Sequence, residues 1–305
     1  MSRHRHLVML IALALLWGAS FLFIKVAVRE LEPATLIVGR LGLAALALGA
    51  LVPFVVGSGE TLRQLRENAW WLIAVALVNT AIPFWLLSWG ETRIDSGLAS
   101  IIQAAVPIFN AMIAFVAFRE VRVTGARLVG VAVGFVGVAL LVGAQPEGKV
   151  LGALAVVGMA FCYGLGGLLT GRYLTPVRPV VVAFASTAIA ALVALPFGAA
   201  GAPDHLPGWK TIASVVVLGI PLTAGAYLLF FGLITGAGAA YASLVTYLIP
   251  PIALGYGAIF LDERFGAAAL GGLALILAGV ALGTGAVRVA RLRRSRVMGE
   301  SRFPP

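Results

Sequence analysis

Five polar or helix-bending residues, Ser96, Ser100, Gln103, Pro107 and Asn110, stand in an otherwise apolar stretch at steps of 4, 3, 4 and 3. On a helix those steps align all five side chains on one face. Pro107 removes a backbone hydrogen bond and frees a carbonyl one turn back, near Gln103. In an apolar medium that carbonyl must face protein or a wet cavity. The amides beside it suit hydrogen bonds to a polar solute or to a neighbouring helix. The phrase returns 143 residues later, where Ala242, Ser243, Pro250 and Glu263 answer Ala99, Ser100, Pro107 and Glu120. Thr246 takes the place of Gln103 there, and Tyr247 stands alongside.

Charged groups inside apolar runs come next. At mid-bilayer each costs roughly 2.5–3.5 kcal/mol on insertion scales, so each needs a reason. Lys25 lies about 27 Å along its helix from Leu7, which places it near the outer boundary, where snorkelling accounts for it. Arg40 lies about 10 Å inside Pro33. Escape is harder there, so the sequence predicts a structural or gating ion pair from Arg40 to Glu91 or Asp95, with a substrate carboxylate as the second choice of partner. Glu120 and Glu263 end their helices and are expected to stabilise turns or the local Arg122 and Arg264. Trp89 and Trp209 fit an interfacial aromatic belt. Trp17, Tyr163 and Tyr227 lie deeper and are candidates to wall a cavity, together with Phe21, Trp85, Lys25 and the polar Asn79.

Nothing in the chain makes a catalytic set. The three histidines, His4, His6 and His205, fall in the N-terminal tail and an outer connector. There is no HExxH, Walker, CxxC or glycine-rich nucleotide motif, so neither a metal nor a cofactor is expected. The single cysteine, Cys162, reads as a small buried hydrophobe.

These residues must be held by membrane helices. The chain is 61% hydrophobic and 11% charged, with a mean hydropathy of +1.04. A soluble domain carries roughly 25% charged residues, so this is a polytopic membrane protein set in a lipid bilayer. On a ruler of about 20 residues per span, ten spans fall near 7–28, 33–56, 70–90, 96–118, 124–143, 150–171, 179–199, 210–234, 238–261 and 266–287. With the N-terminus inside, fourteen Lys and Arg from Arg3 to Arg296 collect on the cytoplasmic side and five on the outer side. That bias supports an even number of spans with both termini cytoplasmic. It also accounts for the net charge of +10 without any nucleic-acid partner.

A second register of repetition has an offset of 146, where Tyr163-Gly164 answers Trp17-Gly18 and Pro179 answers Pro33. Five spans per half is odd, so the second copy enters the membrane from the opposite side, the inverted repeat of secondary transporters. The expected units are 1–146 and 147–288, followed by a basic cytoplasmic tail, 289–305. Glycines 130, 134 and 137 in the fifth span, and 272, 279 and 283 in the tenth, suit close helix packing within a protomer or in a homodimer.

W-G-A-S-F at Trp17–Phe21 and the Pro33-to-Arg40 spacing resemble the EamA family of drug/metabolite transporters. So do the two segments in which Ala-Ser, Pro, Glu and a glycine-rich helix follow in order. The resemblance covers about 280 residues, all but the basic tail. It implies a ten-helix basket around a central cavity and alternating access in the inner (plasma) membrane. It also implies export of small polar or amphipathic metabolites such as amino acids. The shorter small multidrug resistance relatives depend on a glutamate in mid first span. Here that span offers Trp17, Ser20, Phe21 and Lys25 and no carboxylate, which sets that proton/drug exchange aside. For energy coupling there remain a proton on Glu91 or Asp95, or plain facilitation. The alternatives are an organic-phosphate or nucleotide-sugar exchanger, for which only Lys25 and Arg40 supply positive charge, and a non-transporting scaffold or lipid-handling enzyme.

Overall fold

The computed structural model describes residues 3–117 and 125–283, and among them every regular element is helical. Helix α1 (Arg3–Ala27) leads to α2 (Pro33–Val55), which opens on a proline whose fixed φ suits a first turn. The short polar α3 (Ser58–Glu67) follows. Helix α4 (Ala69–Glu91) contains a π-turn at Leu77–Ala81. Helix α5 has two pieces, Ser96–Gln103 and Val106–Ala117. Then come α6 (Gly125–Gly143), α7 (Glu147–Tyr173) and α8 (Pro179–Ala200). Helix α9 (Trp209–Ala237) carries a second π-turn at Ile220–Gly225. Helix α10 again has two pieces, Ala239–Ala242 and Val245–Phe260, and α11 spans Ala267–Gly283.

Seven of these helices, α1, α2, α4, α5, α7, α8 and α9, are long and apolar enough to cross a bilayer. Helices α6, α10 and α11 supply shorter apolar runs, Leu128–Gly143, Val245–Phe260 and Ala267–Leu282. The longer piece of α10 has 16 residues, about 24 Å at helical rise against a hydrocarbon core of about 30 Å. The chain is therefore a polytopic membrane protein, with seven full-length spans and three short apolar helices among its described residues.

Helix α1 is the hub. It packs on α10 and on both limbs of α9, and Leu13, Ala14 and Ile24 are wholly buried in the main core with Ile101, Ile102 and Met159. Helix α7 packs on α4 and α5, α2 on α8, and α6 on α11. Small residues permit these approaches. A Cβ on Gly279 would stand 2.5 Å from the amide nitrogen of Gly134 and 2.6 Å from the Gly130 carbonyl, with no flexible atom to move aside. Gly272 likewise receives Leu141. The glycine faces of the fifth and tenth predicted spans thus meet inside one chain. Outside the bundle, hydrogen bonds from Arg63 and Gln64 hold the Glu60 carboxyl on α3 at about 2, below the usual carboxylate range. Gln64 accepts the Arg178 amide at 2.9 Å, tying α3 to the start of α8.

The prolines act differently in the two broken helices. Helix α5 breaks at Ala104 and Ala105, and Pro107 sits in the first turn of its second piece. The sequence predicts the same arrangement at Pro250. There, however, the helix runs unbroken through Pro250 and Pro251, and the interruption lies at Ser243 and Leu244. In α10 the chain gives way one turn earlier, next to Gly238, whose φ of +90° already ends the preceding helix. Glu120, Arg122 and the basic tail lie outside the described residues.

Candidate functional site

A cavity of about 300 Å³ lies between α1, α2, α4, α5, α7, α9 and α10. Trp17, Phe21, Asn79, Gln103, Tyr163, Tyr227 and Thr246 from the predicted set all line it, with Ser20, Phe84, Leu87, Val106, Leu222, Thr223, Phe230 and Ile249. Among its described lining residues the one charged group is Arg40, on α2.

The lining positions come largely in repeat-related pairs. At the 143 offset, Gln103 pairs with Thr246, Val106 with Ile249, Phe84 with Tyr227, Leu87 with Phe230 and Asn79 with Leu222. Trp17 and Tyr163 pair at 146. Ser20, Phe21, Arg40 and Thr223 have no such mates, because Gly166, Gly167, Ser186 and Thr80 stand at their counterpart positions outside the lining. The cavity is chemically lopsided, with its guanidinium and both carboxamides contributed by the first half.

The π-turns set this polar edge. A π-turn shifts hydrogen bonding by one residue and turns side chains out of helical register. In α9 the Thr223 hydroxyl donates to the Leu218 carbonyl five residues back, at 2.7 Å, and accepts Arg40 Nε at 3.0 Å. The same guanidinium lies 4.5 Å from the centre of the Phe84 ring. Arg40 is 6% exposed and forms no ion pair with Glu91 or Asp95 within 4 Å, contrary to the predicted pairing. Asn79 stands in the α4 π-turn, held close by Gly166, where a Cβ would come within 2.5 Å of its side chain. Trp17 packs on Phe230 at 5.2 Å.

The other candidates fall elsewhere. Lys25 Nζ donates to the Glu91 and Ile94 carbonyls, at 2.7 and 2.6 Å, so it caps the end of α4 rather than reaching the cavity. Trp85 lines a separate apolar groove of about 460 Å³ with Ile37, Ala194 and Phe197. Ser100 is buried and donates back to the Gly97 carbonyl at 2.6 Å. Asn110 Nδ2 donates to the Gly164 carbonyl at 3.2 Å and acts as interhelical glue. Ser243 is exposed at the break in α10, and Tyr247 packs against the main core. Asp95 holds the N-cap position of α5 but makes no side-chain cap bond. Glu263 fills that role instead, accepting the Ser96 amide at 2.7 Å, the Gly97 amide at 3.0 Å and the Ser96 hydroxyl at 3.0 Å. The sequence predicts a turn or Arg264 as its partner. The helix N-terminus wins because its free amides and positive dipole end attract a carboxylate more than an exposed arginine does.

Phe84, Thr223 and Phe230 escape the sequence reading. Their signal is the repeat offset, which places Phe84 and Leu87 on Tyr227 and Phe230, and Thr80 on Thr223.

The model of the EamA-like transporter family matches residues 4–143 and again 150–284. A transporter of Archaeoglobus fulgidus is 26% identical over 273 residues, covering 87% of this chain and 93% of its own. A probable terminal-alkyne amino-acid exporter of Streptantibioticus cattleyicolor is 28% identical over 273 residues, covering 87% and 89%. A probable amino-acid metabolite efflux pump of Escherichia coli is 25% identical over 292 residues, covering 90% and 92%. One crystal structure shares the fold, with a TM-score of 0.65 at 19% identity over 95% of this chain and 99% of its own. Matched along both halves, this chain belongs to the EamA-like transporter family.

Proposed function

We propose that the protein exports small amino-acid-like metabolites by alternating access across the cytoplasmic membrane, with both termini inside. The observation that carries this reading is the cavity. Its volume of about 300 Å³ is at the small end of ligand pockets. One guanidinium stands among aromatic walls and two carboxamides, a set that suits a carboxylate on an apolar or aromatic body. An organic phosphate or nucleotide sugar calls for more positive charge than Arg40 alone, and Lys25 is engaged elsewhere. A pure scaffold has no use for a polar-edged cavity. The names of the Streptantibioticus and Escherichia relatives, an amino-acid exporter and an amino-acid metabolite efflux pump, point the same way.

Ten spans in two inverted repeats, 1–146 and 147–288, are the architecture this reading uses, with 289–305 as a cytoplasmic tail. Packing supports it, since α1 on α10 mirrors α7 on α5, and α2–α8 and α6–α11 are each a helix paired with its own counterpart. A homodimer through α6 and α11 would have to use the faces turned away from their mutual glycine contact.

Thermal shift in detergent tests the substrate class. L-amino acids with apolar or aromatic side chains are expected to raise the melting temperature, and their decarboxylated amines are not. Stabilisation by sugar phosphates or nucleotide sugars alone would overturn the proposal.

A further inference from the structure

The carboxyl of Glu91, the last residue of α4, is wholly buried, and neither of its oxygens has a hydrogen-bond partner. It does not line the cavity. An ionised carboxylate sealed from water with no donor is strongly disfavoured and is not sustained without a partner. The neighbouring charges do not supply one. Lys25, from α1, commits its ammonium to the Glu91 and Ile94 carbonyls, and Arg40, from α2, is bonded to Thr223. Neither of them forms an ion pair with Glu91 within 4 Å. Glu263, from the connector after α10, is the other carboxylate acting on Glu91, and it accepts three hydrogen bonds from Ser96 and Gly97. From α7, the contact at the adjacent Gly90 is made by Val156, Ala155 and the Gly152 backbone, none of them charged. On α4 and its connector, the Arg93 guanidinium lies over Trp89, and Asp95 stands at the start of α5. Glu91 has neither a donor nor a paired cation to hold a charge, so its buried carboxyl is neutral.

We propose that Glu91 is a proton-binding site set apart from the substrate cavity, and that opening of this end of the bundle is linked to loss of its proton. In the closed arrangement the carboxyl is neutral, and Lys25 caps α4 through backbone carbonyls. When the junction of α4 and α5 parts from α1, water enters and takes the proton from the Glu91 carboxyl. The carboxylate left behind and the ammonium that the carbonyls have released are then both hydrated. Proton and substrate then occupy different sites and are coupled by the opening, which differs from competition for one carboxylate inside a cavity. Glu91 has no repeat-related acid, because Ile234 stands 143 residues on, so the other end of the bundle carries no matching switch.

The proton site does not depend on the substrate proposed above, and its test uses none. Hydrogen exchange of residues 92–103 is measured on the full chain in liposomes across about pH 6 to pH 9, corrected for intrinsic exchange. Wild type is expected to lose protection as pH rises, by up to roughly tenfold per pH unit, the slope of a one-proton linkage. Glu91→Gln and the similarly sized, apolar Glu91→Met are both expected to be flat, so that a folding failure of one leaves the other to decide. Asp95→Asn keeps the slope, and Glu263→Gln lowers protection at every pH while keeping it. A flat wild-type profile, or a slope that survives in a folded Glu91 variant or disappears in Asp95→Asn, overturns the proposal.

Discussion

Arg40 is a cation buried deep in α2, and a cation at that depth needs a partner. The partner is the Thr223 hydroxyl, brought within 3.0 Å by a π-turn that no local signal in Ile220–Gly225 announces. Only Nε is engaged by Thr223, and on the proposed reading the terminal guanidinium nitrogens anchor the substrate carboxylate. Truncating one partner of a buried, hydrogen-bonded charge pair costs about 2–5 kcal/mol, so Arg40→Ala should weaken amino-acid binding by more than roughly tenfold in a thermal-shift titration. Arg40→Lys should recover little, since the ammonium cannot hold Thr223 and fork onto a carboxylate together. Gln103→Ala removes a neutral hydrogen-bonding group and should cost about 1 kcal/mol, roughly fivefold in affinity. Gln103 was legible from spacing alone, because its helical face decides which way it points. Lys25 and Trp85 were misplaced for the same physical reason: depth along a helix does not tell which neighbour lies on either side.

The elements follow the sequence more closely. Apolar runs locate the helices to within a few residues, because backbone groups in lipid leave no alternative to helix. Interruptions inside the runs were harder to see. Pro107 marks one of them, yet Pro250 marks none, since a proline can be carried inside a helix whose neighbours satisfy the freed carbonyl. The cap on α5 was hidden because its acceptor, Glu263, comes 167 residues later than Ser96. This cap ties the two halves together at one end. Glu263→Ala should lower the unfolding free energy by about 1–2 kcal/mol and raise hydrogen exchange first at the start of α5. At the α6–α11 contact the neighbours of Gly279 are backbone atoms. Gly279→Ala must separate the helices and should cost about 1–3 kcal/mol, seen as a lower melting temperature in detergent.

At the level of the assembled bundle, the duplicated phrase was the most informative feature of the chain. It predicted that Gln103 and Thr246, and Trp17 and Tyr163, occupy related places, and both pairs meet at one cavity. The same comparison predicts a chemically lopsided cavity, since Thr246 answers Gln103, but it does not tell which of the unlike residues reach the cavity. Arg40, Glu91 and Asn79 belong to the first half alone, with Ser186, Ile234 and Leu222 opposite them. On the proposed reading, the framework of two related halves supplies the motion, and the first half supplies recognition and the proton site. Counterflow of radiolabelled amino acids in liposomes holding the purified protein tests this division most directly. Saturable exchange is predicted for wild type, undiminished in Trp85→Ala, whose side chain faces the separate apolar groove, and reduced by more than roughly tenfold in Arg40→Ala. Absence of exchange for every amino acid tried, or full exchange in Arg40→Ala, would contradict it.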